Sequence, residues 1–196
     1  MLAALLTAAA ANAQENGQNE KFRAGLQLRS NGLYDLVLCP NVGLEVQTSI
    51  GLAWQLDYVG AWWNNDARHR YYSNYGLQTE LRYYFQSART QLLPYYGHHA
   101  GIYGHTVTYD FEFGGTGWQA PHFNDSYGVG VSYGYSLPIG KRLAVDFTAG
   151  LGFFTSRYCV YEPKKTEGYV KTDTRRLNCF GPTKLEASIV WNITDK

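Results

Sequence analysis

From Arg23 onward, apolar or aromatic residues recur at every second position, with Gly, Ser, Thr, amide or charged residues between them. A period of two belongs to strands whose two faces meet different environments. Eight such runs are separated by turn-like stretches. The first spans about 22–36, with Phe22, Ala24, Leu26 and Leu28 opposed to Arg23, Gly25, Gln27 and Arg29. The second, 41–49, is the cleanest, with Val42, Leu44 and Val46 on one face and Gly43, Glu45 and Gln47 on the other. The third sets Leu52, Trp54, Leu56, Tyr58 and Trp62 against Ala53, Gln55 and Asp57, and the fourth sets Leu77, Leu81, Tyr83 and Phe85 against Gln78, Glu80 and Arg82. A less regular fifth run covers 94–111, with His98 on one face and His99, Tyr103, His105 and Tyr109 on the other. Tyr127–Tyr135, Leu143–Phe153 and Leu185–Ile193 complete the set.

The spacers alternate too. They are short after the second, fourth and sixth runs and long after the third (63–74), fifth (112–124) and seventh (154–180). An even number of strands with short turns at one rim and long loops at the other is the pattern of an antiparallel transmembrane β-barrel. A soluble eight-stranded barrel of the lipocalin type is the structural rival. The faces separate the two. One face is almost wholly aromatic and aliphatic, and an eight-stranded interior has little room for Trp54, Trp62, Tyr83, Phe85, Tyr133, Phe147 and Trp191 together. Lipid outside accommodates them as an apolar band with aromatic girdles. The expected fold is therefore all-β, an eight-stranded antiparallel outer-membrane barrel.

Composition agrees with strands rather than helices: 21 Gly, 17 Tyr, 9 Phe and 5 Trp stand beside a single Met, and Gly and aromatics are poor helix formers. The mean hydropathy of −0.34 reflects polar spacing rather than charge. A net charge of +1 carries no electrostatic footprint for a nucleic acid, so none is expected as a partner. Residues 1–13 form an uncharged, Ala-rich run ending Ala11-Asn12-Ala13, a signal-peptide cleavage pattern. It reads as a truncated signal, since no Lys or Arg precedes it. Nothing after it approaches the ~18 apolar residues of a membrane helix. The expected organisation is a signal peptide (1–13), a tail (14–21), the barrel (22–193) and a C-terminal tail (194–196).

Particular strings carry a resemblance. Pro40-Asn41-Val42-Gly43-Leu44-Glu45-Val46, Glu80-Leu81-Arg82-Tyr83-Tyr84-Phe85, Gly128-Val129-Gly130-Val131-Ser132-Tyr133-Gly134-Tyr135 and Gly181-Pro182-Thr183-Lys184 resemble the signature segments of a domain-of-unknown-function family. That family comprises small outer-membrane β-barrels of Bacteroidota-type bacteria, often encoded beside fimbrial subunit and anchor genes. The resemblance implies a bacterial outer-membrane location and a link to fimbriae, and it assigns no catalytic residue. The long loop stretch before Gly181 departs from the commoner pattern.

Enzyme chemistry has little support in the sequence. His98, His99 and His105 are the one His cluster, and no Ser is placed beside them by spacing. His99 and His105 would lie about 20 Å apart along one strand, too far to share a metal. No cofactor, metal or catalytic residue is expected. The polar face says more. Arg23, Glu45, Asp57, Glu80, Arg82, Asp146 and Glu186 lie among Gln27, Gln47, Gln55, Gln78, Thr148 and Ser188. In so narrow a lumen these groups must satisfy one another, which predicts a closed, salt-bridged plug. Five carboxylates face two guanidiniums when Arg23 is counted, which makes Arg82 the expected hub. Of the three cysteines, Cys159 and Cys179 share one long spacer, and pairing them would contribute about 3 kcal/mol. Cys39 with either of the others is the alternative pairing.

The expected role is non-enzymatic, structural or surface-interacting, with outer-membrane lipid and fimbrial or other surface proteins as partners. An outer-membrane lipid-modifying enzyme and a small channel are the alternatives.

Overall fold

The structure, a computed structural model, describes residues 24–65, 67, 70–85, 93–113, 115–164 and 168–194. The expected signal peptide (1–13), the expected tail (14–21) and Arg23 of the expected lumen network lie outside the described residues. In chain order the elements are β1 (Ala24–Asn31), α1 (Gly32–Leu36), β2 (Asn41–Thr48), β3 (Leu52–Asn65), β4 (Arg70–Tyr84), β5 (Gly97–Phe113), β6 (Thr116–Ala120), β7 (Ser126–Pro138), β8 (Leu143–Lys164) and β9 (Gly168–Asn192).

All nine strands belong to one antiparallel sheet. Each of β1, β2, β3, β4, β5, β7, β8 and β9 pairs with the next in that order, and β9 returns to β1, so eight strands close a hydrogen-bonded ring. β6 is the ninth strand. It pairs with β5 at 109–113 and with β8 at 159–161, beyond the start of β7, and so continues the place of β7 in the wall. Among the described residues no helix is long and apolar enough to cross a membrane.

Three expectations about element boundaries are corrected. The first run stops at Asn31, because the Asn31 side chain accepts the Leu33 N–H at 3.1 Å and caps α1, which turns the chain out of the strand. Of the stretch 154–180, expected as a loop, residues 154–164 and 168–180 are strand. β8 and β9 continue as a hairpin to Lys164 and Gly168, with register shifts at Gly150/Leu151 and Val160/Tyr161. Tyr158, Val160, Tyr161, Val170, Thr172 and Thr174 have high strand propensity, but the charges among them hide the two-face contrast. The fifth strand begins at Gly97 rather than at Pro94, because Tyr95 turns inward and is buried.

The expected Cys159–Cys179 disulfide is absent, and all three cysteines are free. Register is the reason. Cys159 stands opposite Thr174 and Cys179 opposite Phe154, so the two lie about 17 Å apart along the hairpin, beyond the ~7 Å Cα limit of a disulfide. Cys39 is buried, with its Sγ 3.4 Å from the Tyr72 hydroxyl.

Glycine makes the ring narrow enough to fill. Many large inward side chains face a glycine across the ladder: Asp57 faces Gly43, Arg82 faces Gly101, His99 faces Gly134, Tyr103 faces Gly130, His105 faces Gly128 and Lys184 faces Gly150. A Cβ on Gly150 would stand 2.6 Å from Tyr103 Cε1 and 3.0 Å from Lys184 Cβ, and one on Gly128 would stand 2.6 Å from His105 Cε1. Outside, the alternate positions carry Trp54, Leu81, Val131, Phe147, Leu151, Leu185 and Trp191, all exposed.

Gly150→Val is expected to destabilise the fold by about 1–3 kcal/mol through overpacking, while the outward Ala149→Val stays near neutral. Thermal unfolding of the two variants under the same conditions checks this. Alkylation of the unfolded, unreduced protein is expected to label three thiols, and recovery of a Cys159–Cys179 peptide would contradict the register.

Candidate functional site

The interior of the ring is built in three levels. At the short-turn end Tyr95 packs with Ala53, Tyr84 and Leu93. Its N–H donates to Gln47 Oε1 at 2.8 Å and its hydroxyl to the Ser49 carbonyl at 2.7 Å. Beside it, Gln27 donates to Asn192 at 2.7 Å, and Asn192 in turn donates to the Tyr96 hydroxyl at 2.9 Å. This level is a lid of rings and amides.

Above it lies an ion cluster. Arg29 bonds Glu45 at 2.7 Å, Asp146 at 3.1 Å and Glu186 at 3.4 Å, with Asp57 at 3.9 Å. Arg82 bonds Glu80 at 2.9 Å, Glu186 at 3.1 Å, Glu45 at 3.3 Å and Asp146 at 3.4 Å. Lys184 reaches Glu80, and Glu186 at 3.1 Å. The remaining acceptor positions are taken by neutral donors. Tyr84 donates to Glu45 at 2.8 Å, Gln47 to Glu45 at 2.9 Å and Thr148 to Asp146 at 2.8 Å, while Ser132 bonds Glu80 and Gln55 bonds Asp57. His99 Nε2 lies 2.9 Å from Asp146. The Arg82 side chain is 0% exposed and that of Arg29 2%. Ions so far from water hold their charge only when their partners are this close.

The third level faces the long-loop rim. Lys184 Nζ sits 5.4 Å from the centre of the Tyr103 ring, whose hydroxyl pairs with Thr183 at 2.6 Å. His105 is stacked between Tyr103 and Phe154, with centroids at 6.0 and 5.7 Å. Tyr109 stacks on Phe111 and Phe111 on Tyr72, and the Tyr109 hydroxyl bonds Ser156, which bonds Ser126. On the outer wall, Ser73, Tyr75, Thr108, Asp110 and Gln119 help to line a cavity of about 180 Å³. Burial there pushes the Asp110 carboxyl up, against a 3.1 Å hydrogen bond from Gln119.

Glu45, Asp57, Glu80, Arg82, Asp146 and Glu186 thus come together as the alternation implied. Arg82 is not a single hub, however. Arg29 shares Glu45, Asp146 and Glu186 with it, and Lys184 supplies a third cation. The signal for Arg29 was its alternation with Gln27. Lys184 continues the inward alternation of Glu186 and Ser188 and stands one residue before the eighth run as read, next to a bulge: Gly150 pairs with Lys184 and Leu151 with Pro182, so Thr183 is the extra residue. His98 points outward against Tyr133 and Tyr135, whereas His99 points inward. Among the described residues no group of three His, Cys, Asp or Glu is placed to hold a metal ion.

The chain matches, over residues 1–193, the family described as protein of unknown function DUF3575. It belongs to that family. No curated protein and no solved structure matches it. For this DUF3575 chain the interior is what the fold is built around.

In the DUF3575 protein Arg29→Ala and Arg82→Ala are each expected to cost about 3–5 kcal/mol, because each leaves buried carboxylates short of a cation. The outward Leu81→Ala is expected to cost far less. Denaturant unfolding of the three variants decides it, and near-neutrality of either Arg variant would mean that the other carries the cluster alone.

Proposed function

We propose that this DUF3575 protein is an eight-stranded β-barrel of the bacterial outer membrane, non-enzymatic, with a closed polar lumen and a surface-interaction role. The observation that carries the reading is the inversion of the ring: its ions and amides are buried inside while its aromatic and aliphatic side chains are exposed outside. A ring in water would gain by the opposite arrangement, and an apolar outer face of this extent has lipid as its natural solvent. Dimensions support it. On β8 the outward residues from Leu143 to Phe153 cover about 33 Å of strand, or about 25 Å along the axis at a tilt of about 40°, the height of a barrel's lipid band. α1 belongs to the same picture. The turn after it lies beside β3, where the Leu38 carbonyl accepts the Trp63 indole N–H at 3.0 Å, and it exposes Leu36, Val37 and Leu38 where the β1–β2 wall is low.

With the ion cluster across its middle and Tyr95 at its short-turn end, described side chains occupy the lumen at two levels, which disfavours the channel alternative. The extended β8–β9 hairpin and β6 then stand outside the membrane as the surface for a partner. Resemblance of the quoted strings to barrels of Bacteroidota-type bacteria encoded beside fimbrial genes makes fimbria assembly or anchoring the role to test.

The mature protein is expected to fractionate with outer membranes, to migrate differently in gels before and after boiling, and to show no steady conductance in planar bilayers. A detergent-independent soluble monomer would overturn the membrane reading, and steady conductance would replace the plug with a channel.

A further inference from the structure

Beyond Phe153, the outward face of the β8–β9 hairpin changes character rung by rung. Phe153 faces Phe180, Thr155 faces Asn178, and Arg157 faces Arg176. Phe180 is 78% exposed, the most open aromatic on the outer wall. Thr155 donates to Asn178 at 2.7 Å. Arg157 and Arg176 are both exposed, and neither guanidinium has an ion pair or side-chain hydrogen bond among the described residues. Like charges directly opposite one another repel across a ladder. The carboxylates of this region are otherwise engaged. Asp173 binds Arg175 at 2.9 Å, and Asp125 accepts the His122 N–H at 3.2 Å. Above Ala187, the strand edge of β9 away from β8 has no strand beside it, which leaves room next to the pair.

We propose that Arg157 and Arg176 form a binding site for the phosphate of a membrane lipid in the outer leaflet. This rests on the barrel reading above. On that reading the Phe153–Phe180 rung marks the outer edge of the hydrocarbon, and the two arginines start about 10 Å above it at a strand tilt of about 40°. Their long apolar stems can lower the guanidiniums into the headgroup layer. Two planar forks there can share the oxygens of one phosphate, which removes the like-charge cost, while the acyl chains lie over Phe180, Phe153 and Leu151 below. An anionic lipid fits both halves of this surface, whereas a free anion fits only the upper one.

The test reconstitutes the full chain in phosphatidylcholine nanodiscs containing a minor share of phosphatidic acid, releases it in mild detergent, and counts retained lipids by native mass spectrometry. Wild type is expected to retain phosphatidic acid over phosphatidylcholine, and Arg157→Ala/Arg176→Ala is expected to lower that preference about tenfold or more. Lys141→Ala, at the short-turn end, is expected to leave it unchanged. Equal retention by the double variant would overturn the site. Displacement of the lipid by millimolar inorganic phosphate would reassign it to small anions. Failure to enter the nanodisc would refute the membrane reading itself, and the lipid site with it.

Discussion

Arg29 and Arg82 hold Glu45, Asp146 and Glu186 between them inside a closed ring, and this shared set of ion pairs constrains everything around it. A buried charge costs several kcal/mol unless its partners lie within hydrogen-bond reach. The cluster meets that condition from seven strands at once: β1, β2, β3, β4, β5, β8 and β9 each contribute a charged group or His99. Strand register is thereby tied to chemistry. A one-residue slip of any of these strands would carry its ion to the apolar outer face, so the cluster penalises every wrong pairing together.

Room for such a cluster exists because glycine stands across the ladder from many of its largest members. Gly101 opposite Arg82, Gly134 opposite His99 and Gly150 opposite Lys184 leave the space a Cβ would take. The high glycine content is therefore a packing device. It lets an eight-stranded ring hold arginine, lysine, histidine and tyrosine side chains without widening.

The two ends of the ring do different work. At the short-turn end a neutral lid of Tyr95, Tyr84 and Leu93 closes the interior with few atoms. At the other, the walls rise unevenly. β1 and β2 stop early at α1, while β8 and β9 run on as a hairpin against β6. That asymmetry leaves the strand edge of β9 open and brings Arg157 and Arg176 to a rung with no internal counter-ion.

Period-two alternation, read from the chain alone, determined the strand count of the ring, which face of each strand turns inward, and six of the groups that meet there. It could do so because side-chain direction in a strand is a local property. What depends on register and on position around the ring was not legible. The Cys159 and Cys179 pairing looked sound by spacing and failed because the hairpin sets them on different rungs. Asn31 ended a strand by capping a helix, and β9 ran on past Leu185 through Lys184 and the bulge at Thr183, beyond the run that alternation had marked out. The sharing of carboxylates between Arg29 and Arg82 arises only when β1 and β4, separated by two strands in the wall, face each other across the interior. Alternation determines facing, but distance across a closed ring is decided by tertiary structure alone.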